Sequence, residues 1–351
     1  MSRFFSEKYR KLVPYTPGEQ PRDRRYIKLN TNESPFPPSP KAQAYAAAAA
    51  ADLHLYPDPT CAQLTQALAH TLGIEAQQVI LGNGSDEVLN YAFMAFCDDT
   101  HPAVFPDITY GFYKVFADIN QVPYTELPLN DDLTVDVDAL CAARGTIFIA
   151  NPNAPTGIAL PLADIEKLLS SDPDRMVVVD EAYVDFGADS AVGLIARYDN
   201  LLVTQTFSKS RSMAGGRLGM GMGSAAVIRD LNTVKYSLNP YNINRMTMAA
   251  GLGTLEDAAY FEENCRAVMA IRQWTTDQLR KVGFTVIDSS SNFIFAKHPA
   301  MDGGDLYRCL KERGILVRHF NTPRLHAYIR ITIGSDAQMQ TFIDTVKEVL
   351  L

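Results

Sequence analysis

Residues 146–183 read TIFIANPNAPTGIALPLADIEKLLSSDPDRMVVVDEAY, and residues 201–217 read LLVTQTFSKSRSMAGGR. Three apolar runs in these stretches, TIFIAN, MVVVD and LLVTQTF, lack the in–out alternation of a half-exposed strand. Each is bounded by Pro, Gly or charged residues. Such runs fit strands buried on both faces, as in a parallel sheet covered by helices. Upstream, VILGNG (79–84) reads as a short strand ending in a glycine turn. SDEVLNYAFMAF (85–96) follows with helical spacing, and Asp86 and Glu87 fall in the first turn, where the helix dipole favours acids. The fold class expected is α/β.

Outward from this centre the texture changes twice. The first forty residues are rich in proline (Pro14, Pro17, Pro21, Pro35, Pro37, Pro38, Pro40), which predicts an arm or loop with little helix. AYAAAAAADL (44–53) reads as helix on propensity. After about Ser237 a long helical stretch, Arg245 to Val282, gives way to FTVID, SNFIFAK, ILVRHF and YIRITIG, then to a closing amphipathic helix, FIDTVKEVLL. That is an α+β unit. The expected organisation is a large domain over residues 42–236 and a smaller one assembled from 1–41 and 237–351, with an N-terminal arm.

Composition narrows the function classes. The chain has 351 residues, and its 32 Lys and Arg against 40 Asp and Glu give a net charge of −8, which speaks against a nucleic-acid surface. The basic cluster Arg22, Arg24 and Arg25 is short. Five scattered cysteines without a C-x-x-C pair suit a reducing compartment. The histidines show no zinc-binding spacing, so no metal is expected. The first residues, MSRFFSEKYRK, lack the apolar core of a signal peptide, and no apolar run reaches the ~18 residues of a membrane span. A cytoplasmic protein without membrane partners is the expectation. GMGSAA (221–226) matches a dinucleotide pattern formally, but it sits far from the first βαβ unit and is better explained by close strand packing. Met213, Met220 and Met222 read as core fillers.

Three segments carry chemistry, each at the C-terminal end of an expected strand, the edge where open α/β sheets bind ligands. They are NPNAPTG (151–157), DEAY (180–183) and SKSRSMAGGR (208–217). A lysine at such an edge is a candidate Schiff-base former. Asp180 is placed to pair with a pyridinium nitrogen. Ser208, Arg217 and the N–H groups of the Gly84–Ser85–Asp86 turn are placed to bind a phosphate at a helix N-terminus. Lysine, buried acid and phosphate cradle together describe a pyridoxal phosphate site.

On these segments, with PYTPG (14–18), LNTNESP (29–35) and IRIT (329–332), the chain resembles the fold-type-I pyridoxal phosphate-dependent aminotransferases of class I/II, and among them the histidinol-phosphate branch. The resemblance implies a large domain with a mostly parallel seven-stranded sheet and a smaller α+β domain. It implies amine and keto-acid substrates, namely histidinol phosphate and 2-oxoglutarate in histidine biosynthesis, and a homodimer. By the same resemblance Lys209 would bond the cofactor and move the proton, Asp180 would hold the ring nitrogen, and Tyr183 the phenolic oxygen. Tyr110 would stack on the ring. Gly84, Ser85, Asp86, Ser208 and Arg217 would take the phosphate, with Tyr56 reaching it across a dimer interface. Arg330 would clamp a carboxylate, Arg330 and Arg318 would receive the substrate phosphate, and Tyr15 and Asn32 would line the same pocket. The family pattern N-P-x-N-P-T-G carries an asparagine where this chain has Ala154, so Asn153 reaches the phenolic oxygen from a shifted backbone or Tyr183 does so alone. Two related enzyme readings stand beside this one: a lyase such as a threonine-phosphate decarboxylase, and an aromatic amino-acid aminotransferase. A catalytically silent metabolite-binding protein is a third.

Overall fold

The computed structural model describes residues 2–350. In chain order the strands are β1 (Ile27–Lys28), β2 (Val79–Gly82), β3 (Ala103–Pro106), β4 (Tyr124–Leu127), β5 (Thr146–Ala150), β6 (Val177–Asp180), β7 (Leu201–Thr206), β8 (Gly219–Gly223), β9 (Thr285–Ile287), β10 (Phe293–Lys297), β11 (Ile315–Leu316), β12 (Arg318–His319) and β13 (Tyr328–Thr332). The helices are α1 (Pro40–Ala49), α2 (Ala62–Leu72), α3 (Ser85–Phe96), α4 (Phe112–Asn120), α5 (Val137–Ala142), α6 (Leu162–Ser171), α7 (Ala225–Leu238), α8 (Arg245–Leu255), α9 (Ala258–Lys281), α10 (Gly303–Glu312) and α11 (Asp336–Leu350).

Seven strands form one sheet in the order β2-β8-β7-β6-β5-β3-β4. All neighbours from β7 to β4 run parallel, and β8 is antiparallel to both β7 and β2. The apolar runs are unbroken because each face has its own core. Val177 and Val179 of β6 join one, with Leu64, Ile165 and Leu168, while Val178 joins the other, with Phe93 and Phe148. The glycines of β8 serve close packing. A Cβ on Gly219 would lie 2.1 Å from the Ser85 nitrogen, so α3 can start here only against a glycine.

The chain ends build the second unit, a four-stranded antiparallel sheet β12-β13-β10-β9 backed by α9, α10 and α11. Leu29 from the N-terminal arm packs into its core, and β1 pairs in parallel with β11. ILVRHF therefore forms two short strands where the sequence predicts one, because β11 follows the arm and β12 turns to β13. The Arg245–Val282 stretch is likewise two helices, α8 and α9, separated at Glu256–Asp257. α8 packs on α1 and shares the first core through Ala250, Met248 and Leu252, as does Ile243. α8 thus buries its apolar side against the large unit.

Candidate active site

The C-terminal ends of β5, β6 and β7 open into a cavity of about 340 Å³, within the size range of small-ligand sites. Ser85 and Asp86 enter it at the start of α3, Tyr110 just before α4, Asp180 and Tyr183 after β6, Ser208 and Lys209 after β7, and Arg217 before β8. Thr31 and Glu33 of the N-terminal segment close one side.

Asp180 ends β6 and is 4% exposed. Tyr113 Oη donates to it at 3.1 Å and Thr204 Oγ1 at 3.3 Å. Among the described residues no cation lies within ion-pair distance. Burial pushes its carboxyl up to about 7 despite these hydrogen bonds. Such a group wants a cationic partner. Lys209 lies in the same cavity, its Nζ 3.4 Å from the Thr31 carbonyl and 5.8 Å from the centre of the Tyr183 ring.

At the other end of the cavity, Gly84 caps α3 with φ +80°, and a Cβ there would meet Arg217 Nη2 at 2.5 Å. The Arg217 guanidinium therefore lies against the Gly84 turn at the start of α3, and free N–H groups at a helix start stabilise an anion. Arg217 Nη2 also donates to Asp86 Oδ2 at 3.0 Å, and Tyr110 Oη donates to Asp86 Oδ1 at 2.6 Å. Burial first, then the Asp86 carboxylate, pushes the Tyr110 hydroxyl up, which keeps it a donor. Ser208 is buried and bonded to Thr206.

The remaining residues named from the sequence lie in different places. Arg330 sits over the Phe293 and Phe320 rings, donates to the Asn30 carbonyl at 3.2 Å, and leaves its buried Nε without an acceptor. Arg318 is its cross-strand neighbour but lines a separate small cavity with Glu19, Tyr307 and His319. Tyr15 packs against the Phe112 ring, tilted by 30° at 4.3 Å between centroids, and Phe112 in turn meets Tyr110. Asn32 is 2% exposed, and its amide donates to Tyr183 Oη at 2.9 Å instead of facing the open cavity. Asn153 does not face the cavity either. It donates to Ile108 O and Thr156 Oγ1 and accepts from Thr109, and Ala154 forms the wall in its place. Tyr56 is 77% exposed and stacks on Tyr241, outside the cavity of its own chain. Sequence reasoning missed Tyr113 and Thr204, the partners of Asp180, and gave Thr31 and Glu33 no role. Thr204 was findable, because it is the register partner of Asp180 in adjacent parallel strands.

Among the described residues no group of three or more His, Cys, Asp or Glu could hold a metal, and no helix is long and apolar enough to cross a membrane.

Known proteins share this architecture and much of this sequence. The family model for aminotransferase class I and II matches residues 24–346. Histidinol-phosphate aminotransferase 2 of Dechloromonas aromatica is 49% identical, over 99% of each chain. The histidinol-phosphate aminotransferase of Acinetobacter baylyi is 49% identical over 98% of this chain and 97% of its own. Among solved structures, a putative histidinol-phosphate aminotransferase from Erwinia carotovora atroseptica superposes with a TM-score of 0.85 at 29% identity, covering 92% of this chain and 95% of that one. The Sinorhizobium meliloti histidinol-phosphate aminotransferase in complex with pyridoxal-5'-phosphate has the same fold, with a TM-score of 0.85 at 23% identity over 93% and 92% of the two chains. With residues 24–346 matched by the family model and nearly the whole length shared with these relatives, this chain belongs to the class I and II aminotransferases.

Proposed function

We propose that the chain transfers an amino group between histidinol phosphate and 2-oxoglutarate, yielding imidazole-acetol phosphate and glutamate, as a step of histidine biosynthesis. The observation that carries the chemistry is the meeting, in one cavity, of Lys209, a buried carboxylate lacking a cation, and a helix start roofed by an arginine. The substrate rests on the full-length relatives named above.

The residues fit pyridoxal phosphate group by group. Asp180 offers the ring nitrogen the negative partner that its burial demands. The α3 N–H groups, Ser208 and Arg217 suit the phosphate, and Tyr183 the phenolic oxygen. When bound, pyridoxal phosphate supplies an electron sink for negative charge developing beside nitrogen. Lys209 provides the amine that anchors it and then carries a proton to and from the substrate α-carbon. Tyr110, held by its hydrogen bond to Asp86, would offer its aromatic face to the cofactor ring. Arg330, with an unused buried N–H, takes a carboxylate or phosphate oxygen in its planar fork, with Arg318 beside it. Tyr15, on the Phe112 ring beside Tyr110, would border the substrate side, whereas Asn32 acts from behind the wall through Tyr183.

A homodimer in the cytoplasm completes the proposal. Tyr56 is exposed, as are Leu53 and Leu55 just before it and Tyr241, on whose ring it stacks at 4.8 Å, so this corner offers an apolar patch. Arg245 fixes its loop by donating to the carbonyls of Leu55 and Tyr56 at 3.1 and 2.8 Å. A second copy covering this patch would receive Tyr56 at its phosphate pocket. The five cysteines are all free thiols, as a reducing compartment allows.

Purified protein incubated with pyridoxal phosphate should develop a visible absorption band that borohydride removes, and should form glutamate from histidinol phosphate and 2-oxoglutarate. Lys209→Ala should lose the band and at least about 10³-fold in turnover. A wild-type protein that stays colourless contradicts the proposal.

A further inference from the structure

Tyr183 lines the cavity beside Ala150, Ala154 and Ala182, which bring no side-chain hydrogen-bonding group, and beside the acceptor Asp180. Where that hydroxyl sends its single hydrogen therefore decides what this side of the site can bind. The answer lies two contacts away, in a buried chain of hydrogen bonds.

The Asn32 backbone N–H donates to Thr332 Oγ1 at 3.0 Å. The Thr332 hydroxyl, having accepted there, donates to Asn32 Oδ1 at 3.1 Å. The amide oxygen thus faces Thr332, and the NH₂ group faces Tyr183, donating to its Oη at 2.9 Å. With the amide reversed, the Thr332 hydrogen would have no acceptor here, and Tyr183 would spend its own hydrogen on Asn32. Both residues are 2% exposed, so water does not compete. The Asn32 carbonyl is held by Asn292 Nδ2 at 3.0 Å, and Phe293 meets the Tyr183 ring edge-on at 5.1 Å. Asn32 is itself in the left-handed region, φ +56°, which asparagine tolerates better than most residues.

We propose that Asn32 and Thr332 are positioning residues for Tyr183: Asn32 fills the acceptor side of the hydroxyl, so that its hydrogen points into the cavity toward an anionic oxygen, and Thr332 fixes the direction of the Asn32 amide. The inference rests on the cavity's reading as a pyridoxal phosphate site, where that oxygen is the phenolic one. Asn32 and Thr332 come from the arm and from β13, whereas Tyr183 follows β6. The smaller unit thereby sets the hydrogen-bonding state of a group in the larger one.

A donor from Tyr183 would stabilise negative charge on the phenolic oxygen of bound pyridoxal phosphate. Losing the donor should raise the pH midpoint of the holoenzyme's visible band. Other ionisable groups face this region: Glu33 and Tyr15 from the arm, Asp86 and Tyr110 at the α3 side, Asp180 with Tyr113, and Arg217 and Arg330. Substitution at Thr332 leaves all of them in place.

The test is a pH titration of that band in wild type, Thr332→Val, Thr332→Ser and Asn32→Gly, the last removing the amide at a backbone position glycine accepts. Thr332→Val and Asn32→Gly should each raise the midpoint by about 0.5–1 pH unit, and Thr332→Ser should stay at the wild-type value. An unshifted midpoint in the first two would overturn the proposal, as would a Thr332→Ser shift equal to that of Thr332→Val. Absence of any band in wild type would instead overturn the cofactor reading.

Discussion

Replacing Asp180 with asparagine should move the cofactor-free protein and the loaded enzyme in opposite directions. In the free protein the carboxyl is buried among neutral donors and is held near 7 against an ordinary 3.8. A folded-state value above the unfolded one means that its contribution to stability is fully present below about pH 4 and is lost as pH rises through 7. Three pH units correspond to about 4 kcal/mol. Above pH 8 the cofactor-free Asp180→Asn protein should thus be more stable than wild type, by up to about 4 kcal/mol, with little difference near pH 4. Glu181, also held near 7 by burial, keeps its own pH slope in both proteins and sets the background. The loaded enzyme behaves otherwise, because the buried charge then has a partner. Removing one member of a buried pair costs about 3–5 kcal/mol, or roughly 10²–10⁴ in kcat/KM. Urea denaturation of both proteins, without cofactor, at pH 5 and 8.5, together with turnover of the loaded forms, reads both effects. A cofactor-free variant no more stable than wild type at pH 8.5 would refute the reasoning, as would turnover within tenfold of wild type.

Arg330→Lys should raise KM for glutamate and 2-oxoglutarate about 10–100-fold with a smaller change in kcat, since lysine keeps the charge and loses the fork; steady-state kinetics decide. Gly84→Ala places a methyl against Arg217 at a positive φ. It should cost about 1–3 kcal/mol of stability and weaken pyridoxal phosphate binding, read by thermal melting and by cofactor titration. Tyr56→Ala should leave the fold intact and weaken cofactor binding about tenfold, and sedimentation should find the wild type dimeric.

The strand ends that carry the cavity were legible because burial on both faces leaves an unmistakable mark, as in Val177–Val178–Val179. Gly84 was legible for a related reason, since a helix start beside a glycine turn is a local pattern. The break at Glu256–Asp257 was not, because no proline or glycine marks it and only the change of packing partner explains it. The family resemblance assigns Asn32 to the substrate pocket. Its actual contact, with Tyr183, spans 151 positions and depends on a left-handed backbone that local patterns do not announce. The Asn153–Ala154 pair shows the same limit. Which of the two faces the cavity is decided by the hydrogen bonds that Ile108, Thr109 and Thr156 offer from behind it.

The net charge of −8 speaks against a polyanion surface yet leaves room for small anions, because Arg217, Arg318 and Arg330 are placed individually within an acidic chain. Whether those arginines serve histidinol phosphate is answered most directly by comparing kcat/KM for histidinol phosphate, phenylalanine and O-phosphothreonine, each with 2-oxoglutarate. The account predicts the highest value for histidinol phosphate, with strict dependence on the keto acid. A higher value for phenylalanine, or release of CO₂ from O-phosphothreonine without any keto acid, would contradict it.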